Sequence, residues 1–237
     1  SIHTFDNNLE LNFGQKIRFR KRRVVGIWQE DFLLSPNVVE WAEKAPNAAW
    51  QNLASCLAFK PESISLSPRE LVIHLRGGDV FSGRSPRSYG QPPLGFYQAV
   101  LDHQRWSKIF IVHEDSLNPV LEPLIRECQK QRIPVVSISQ HLIEDLKFLL
   151  QAVSIVAGRG TFIPSVVGLS RVIQTVYFCE DKCRIMPHVP GVKLMRGTDS
   201  GGTYREQVLS RNWRNTPDQR EMMISYPASN WNFVQQE

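Results

Sequence analysis

The feature that most restricts the fold is a series of short apolar stretches of strand length separated by segments of helical period, regular from Leu71 onward. Residues 71–75, 109–112, 133–138, 154–157 and 172–178 read as buried strands, and 94–101, 119–131, 141–152 and 163–169 as the helices between them. Strands that alternate with helices pair in parallel, because a parallel pair needs a crossover connection and a helix supplies it. The expectation is an α/β fold, a parallel sheet with helices on both faces. Such sheets bind ligands beyond the carboxyl ends of their strands.

Around that series the chain divides at residue 70. Residues 1–70 form a leading region with a short strand at Val24–Trp28, a helix starting near Pro36–Trp41 and a Ser/Pro-rich connection from Pro61 to Pro68. Residues 71–237 form the main domain, ending in a glycine-rich loop over Gly191–Gly202, short helices at 204–211 and 217–223, and an aromatic tail, Tyr226 with Trp231 and Phe233, packed onto the body. With 42% hydrophobic and 22% charged residues, collagen-like, disordered and disulfide-scaffold classes are excluded. A chain of 237 residues buries about 70–75% of its unfolded surface without a metal or disulfide staple.

A net charge of +5 favours anionic ligands without naming one. No stretch approaches the roughly 18–20 apolar residues of a membrane span, and the start has no signal-peptide pattern. The chain opens without Met, so an upstream anchor, signal or domain stays open, and membrane contact is expected only through such an anchor. Cys179 and Cys183 suit either a small loop disulfide in an oxidising lumen or two thiols in a cytosol. A zinc site is disfavoured, since no second Cys/His pair lies at ligand spacing.

The most informative stretch is Ile73-His74-Leu75-Arg76-Gly77-Gly78-Asp79-Val80-Phe81. An Arg just past a buried strand, followed by two glycines, sets a planar cation beside backbone that a ligand can approach closely, which suits a diphosphate. Asp79 orients Arg76 or turns the loop; the alternative is a surface Arg–Asp pair of little weight. Gly158-Arg159-Gly160-Thr161-Phe162 forms a second glycine-rich loop between a strand and a helix, where free amides and the helix dipole favour phosphate and Thr161 adds a hydroxyl. A plain strand–helix connection is the alternative. Asp145 near a helix start either complements the dipole or meets a ligand. His74 reads as a core histidine, and His113-Glu114-Asp115, at a strand's end, as donor contacts or a solvated loop. The basic, proline-punctuated loop Arg84–Pro93 suits a lid or binding loop, or a stiff surface excursion.

Residues 71–81 resemble the His-x-Arg-x-Gly-Asp segment of the GDP-fucose-dependent fucosyltransferase superfamily, which includes the alpha-1,2 enzymes. Other pieces stand in that family's order: Gly26-Ile27-Trp28-Gln29 upstream, then Ile111-Val112-His113-Glu114-Asp115, the helix Asp145–Ala152, and Ile155–Phe162 where the alpha-1,2 enzymes have Asn-Ser-Thr-Phe-Ser. The match spans roughly residues 24–180 and lies in collinearity rather than in one motif. It implies a Rossmann-like, GT-B-type donor-binding domain whose N-terminal partner domain is reduced or missing, residues 1–70 being a possible remnant of the acceptor side. Arg76 and Asp79 are then the catalytic candidates, with His74, Gly77, Gly78, Glu114, Asp115, Asp145, Arg159, Gly160, Thr161 and Phe162 as donor contacts. Departures stand at Gly77, in place of a second Arg, and at Gly160 and Ile163, in place of serines.

The implied activity is an inverting glycosyltransferase that moves a sugar, fucose from GDP-fucose, to a carbohydrate hydroxyl, with no cofactor beyond that donor. It works in the cytoplasm of a bacterium or the Golgi lumen of a eukaryote. No Asp-x-Asp motif occurs, so metal independence is expected. The rivals are a binding module that has lost catalysis, a transferase using another nucleotide sugar, and an epimerase or phosphatase, the last disfavoured by the absence of G-x-G-x-x-G and P-loop motifs. The basic run Lys16–Arg23 alternates like a strand with one wet face, so nucleic-acid binding is not expected.

Overall fold

The computed structural model describes residues 66–83, 85, 87–160, 162–179 and 189–236. The strand expected at 24–28, the helix at 36–41, the basic run at 16–23, Thr161 and Cys183 lie outside the described residues.

Seven strands form one open sheet: β1 (Glu70–Leu75), β2 (Lys108–His113), β3 (Val135–Ile138), β4 (Ser154–Ala157), β5 (Thr175–Cys179), β6 (Lys193–Asp199) and β7 (Trp231–Gln236). Their order is β3-β2-β1-β4-β5-β6-β7, parallel except for β7, which runs antiparallel on the edge. This is a Rossmann-like order with one added strand. The chain moves outward from β1 through β2 to β3, then returns to β4 on the other side of β1. Its connections therefore diverge at the carboxyl ends of β1 and β4.

The helices are α1 (Leu94–His103), α2 (Leu121–Lys130), α3 (Leu142–Leu149), α4 (Phe162–Leu169) and α5 (Pro217–Ser225). The two-residue period of the strands sorts their side chains onto two cores. Leu71, Ile73, Leu75, Ile109 and Ile111 face α1 and α2, where Phe96, Tyr97, Leu121 and Leu124 pack. Val72, Phe110, Val112 and Ile155 face α3 and α4, meeting Leu146, Leu149, Ile163 and Val167. Both faces of the central strands are dry, which is why they read as unbroken apolar runs.

The C-terminal region departs from expectation. Gly191–Gly202 is not one glycine-rich loop, because Lys193–Asp199 is β6, paired with β5 and β7. Gly197 marks packing there: a Cβ on it would stand 2.6 Å from Cε2 of Phe96 and 3.1 Å from Cε1 of Phe233. The segment expected as a helix at 204–211 is a π-helical turn over Arg205–Leu209. The aromatic tail does pack onto the body, with Trp231 and Phe233 of β7 at 5.4 and 5.8 Å from the Phe96 ring. Helix α5 starts where expected, because Thr216 and Gln219 close a reciprocal capping box ahead of Pro217.

Phe96 is fully buried and hemmed in by Tyr97, Trp231 and Phe233, so it has no room to retreat. Gly197→Ala is therefore expected to cost about 1–3 kcal/mol by overpacking. A drop in the urea midpoint without a change in slope checks it; an unchanged midpoint would mean the aromatic cluster yields freely.

Candidate functional site

The site is built at the diverging carboxyl ends of β1 and β4. Arg76 follows β1 directly, and Asn118 Nδ2 donates to its backbone carbonyl at 3.0 Å, fixing where the side chain starts. The guanidinium then has three neighbours. Its Nη2 donates to Asp79 Oδ1 at 3.2 Å, its face lies 4.7 Å from the Tyr89 ring centroid, and its Nη1 lies against Gly160. A Cβ at Gly160 would stand 2.6 Å from Nη1, the movable end of a side chain, so it is the backbone, held at φ +146°, that requires glycine. The two glycine-rich segments thus meet through one cation. Arg76 is 25% exposed and Asp79 61%, so the ion pair between them is largely solvated and weakly held.

Three carboxylates bracket the Gly77–Asp79 turn. Asp115 is committed to the backbone: it accepts from the Gly78 amide at 2.8 Å and the Leu117 amide at 2.9 Å. The same carboxylate stands where a Cβ at Gly77 would go, so a larger side chain has no place there in this arrangement. Gly78 turns at φ +58°, and the Glu114 carboxyl packs over it, 2.6 Å from the position of a Cβ. Lost solvent and the charges of Asp115 and Asp79 raise the pKa of Glu114 against the opposing pull of Arg76. His113 is occupied, with Nε2 2.7 Å from Ser137 Oγ and Nδ1 3.0 Å from the Asp115 carbonyl.

At the end of β4 the structure corrects the expected roles. The Arg159 guanidinium does not face a ligand position; it donates to the Leu209 carbonyl at 2.6 Å and the Gly90 carbonyl at 3.3 Å. Its amide donates to Gln91 Oε1 at 2.9 Å, and Gln91 Nε2 returns a bond to the Arg159 carbonyl at 3.1 Å. That amide is therefore not free to meet a phosphate. Arg159 instead ties the β4 end to the Pro-punctuated loop and to the last carbonyl of the π-helical turn.

His74 is placed as a core residue. Its ring lies 5.3 Å from Phe162, its Nδ1 is buried without a hydrogen-bond partner, and burial next to Arg76 lowers its pKa to about 3. It is a neutral imidazole at working pH, and Phe162 serves as its packing partner. Asp145 sits on α3 at the same edge of the sheet, but the titratable side chains near it are His113 and His141 rather than Arg76. It is buried with Oδ1 unpartnered, and desolvation raises its pKa despite a bond to the Gln140 backbone.

Several supports carry little or no local sequence signal. Trp213 Nε1 donates to the Val80 carbonyl at 2.8 Å, and Asn215 Nδ2 and Arg220 Nη2 donate to the Phe81 carbonyl at 2.8 and 3.0 Å. The C-terminal segment therefore grips the turn that carries Asp79 from behind. Asn118 had a signal, since Asn before Pro marks an Asx turn, and its Oδ1 accepts from the Val120 amide. Gln91, between Gly90 and Pro92, had none.

The chain matches no family model, no curated protein and no solved structure. Fold and site define the class: an α/β protein with a mostly parallel, doubly wound sheet and an Arg–carboxylate site at its topological switch point. Among the described residues, no helix is long and apolar enough to cross a membrane, and no cluster of three or more His, Cys, Asp or Glu could hold a metal ion.

Two outcomes follow from the buried polar groups. Gln91→Ala strips the Arg159 amide of its acceptor and should cost about 2–4 kcal/mol, read as a lower denaturant midpoint. Asp145 has a raised pKa in the fold, so its stabilising protonated form is present below the unfolded carboxyl pKa and lost as pH rises through the folded value. Asp145→Asn should accordingly raise the melting temperature relative to the native protein at neutral pH, with the gap closing in acid; a gap independent of pH would disprove the titration.

Proposed function

We propose that the chain is the GT-B-type donor-binding domain of an inverting, metal-independent glycosyltransferase that moves a sugar, fucose from GDP-fucose, to a carbohydrate hydroxyl. The observation that carries it is the Arg76 guanidinium held between Asp79, Tyr89 and Gly160 where the β1 and β4 connections part. An acceptor oxygen attacks the anomeric carbon as the bond to the diphosphate breaks, and negative charge gathers on the departing oxygen. A forked cation at that place stabilises the leaving group. The exposed Asp79 carboxylate, weakly held in solvent, is displaced from Arg76 by a phosphate without a large cost. The collinear family motifs support fucose, and the sugar's compartment follows its host: cytoplasm in a bacterium, Golgi lumen in a eukaryote.

A second reading is a non-catalytic nucleotide-sugar-binding module. It is favoured by the single cation among three carboxylates and by Gly77, where Asp115 takes the space of a second Arg.

GDP-fucose should raise the melting temperature where UDP- and dTDP-sugars do not, by about 2.7 kcal/mol of stability at a hundredfold excess over Kd. Arg76→Ala should cut hydrolysis or transfer from labelled GDP-fucose by about a hundredfold or more while the far-UV spectrum stays native. Native rates in that variant would sink the assignment, and binding without turnover in the native protein would select the module.

A further inference from the structure

We propose that Tyr89 is a positioning residue of this site: its ring keeps the Arg76 guanidinium oriented when the diphosphate of a nucleotide sugar takes the place of Asp79. The inference rests on the donor-binding reading above and names the group that holds the cation in the complex.

The contacts that place the guanidinium differ in what an arriving anion does to them. Asp79 accepts from Nη2 at 3.2 Å, and its exposed carboxylate competes with any phosphate for that N–H group. Gly160 gives Nη1 room to lie close and makes no hydrogen bond to it. The Tyr89 ring acts differently. Arg76 Cζ lies over it, 4.7 Å from the centroid, so the negative face of the ring attracts the cation without using any of its N–H groups. A phosphate can therefore displace Asp79 and leave the stack intact. Among the described residues Arg76 donates only through Nη2, so the N–H groups of Nε and Nη1 are also open to an anion.

The ring can serve as a reference because its backbone is pinned. Gln91 Nε2 donates to the Tyr89 carbonyl at 2.9 Å, Arg159 Nη1 to the Gly90 carbonyl at 3.3 Å, and the Tyr204 hydroxyl to the Gln91 carbonyl at 2.7 Å. Successive carbonyls are thus held by side chains, and Gln91 and Tyr204 are themselves fully buried. A Cβ at Gly90 would strike the Val208 carbonyl, so glycine there lets the loop lie directly on the π-helical turn. The Tyr89 ring is half-buried against the core that faces α1 and α2. Arg76 has a long side chain with rotamer freedom to lose when it binds, and a fixed ring beside it removes part of that loss in advance. Tyr89 therefore strengthens anion binding through Arg76 rather than by touching the anion.

The test is titration calorimetry with GDP-fucose. Tyr89→Phe keeps the ring and should bind within about twofold of the native protein, whereas Tyr89→Leu keeps apolar bulk on the core without a π-face and should weaken Kd by about five- to tenfold. Pentafluorophenylalanine at position 89 keeps the shape of phenylalanine but reverses the polarity of its face, so it should bind as weakly as the leucine variant. That comparison holds packing constant, so a misfolded leucine variant does not block the result. Native affinity in the fluorinated protein, or in a folded Tyr89→Leu protein, would overturn the role of the ring and leave the donor reading standing. A Tyr89→Phe protein that binds as weakly as Tyr89→Leu would overturn it too, by making the hydroxyl a direct ligand contact. No binding by the native protein would overturn the donor reading itself, and the proposal with it.

Discussion

Everything at the carboxyl edge of the sheet depends on one close approach: the Arg76 guanidinium laid against the backbone of Gly160. β1 is the central strand, flanked by β2 and β4, and the chain leaves it in one direction and returns to its other side. At that place the connections part to opposite sides of the sheet, and a side chain leaving β1 leans onto the loop that follows β4. Glycine at 160 is required by its φ of +146°, and the missing Cβ leaves the guanidinium room to lie close. Tyr89 covers the guanidinium face, and Trp213, Asn215 and Arg220 hold the turn beyond it through backbone carbonyls. The sheet decides where the cation emerges, and the late segments of the chain decide how still it is held.

The fold was readable where burial is two-sided. Each of β1, β2, β4 and β5 is dry on both faces, so its composition alone separates it from the loops. β6 escaped because its burial is mixed and a glycine stands within it. Gly197 looks like a breaker in one dimension; in three it is the space that Phe96 occupies. The end of α3 was overrun for a similar reason, since apolar residues continue past Leu149 into the turn before β4.

The residue types of the site were legible, but their commitments were not. Arg159 and Asp115 both look available in a sequence, and both are consumed: by the Leu209 and Gly90 carbonyls, and by the Gly78 and Leu117 amides. Spacing reveals donors and acceptors; it does not reveal which the backbone will claim. Gln91 is the extreme case, a fully buried amide that joins the long loop to β4 across 68 positions of chain. No local pattern encodes a partner so remote.

That accounting also separates a site from a strut. An Arg paired to a buried carboxylate is a permanent element of the fold, since leaving either charge unpaired is costly. Asp79 is mostly in water, so its hold on Arg76 can be exchanged for another anion with little loss. The net charge of +5 says nothing about this place, where carboxylates outnumber the cation. An anion met here would be held by one guanidinium rather than by the surface at large. The Arg76 guanidinium is placed by tyrosine and glycine contacts, and its present counter-ion is exposed enough for solvent to take it back.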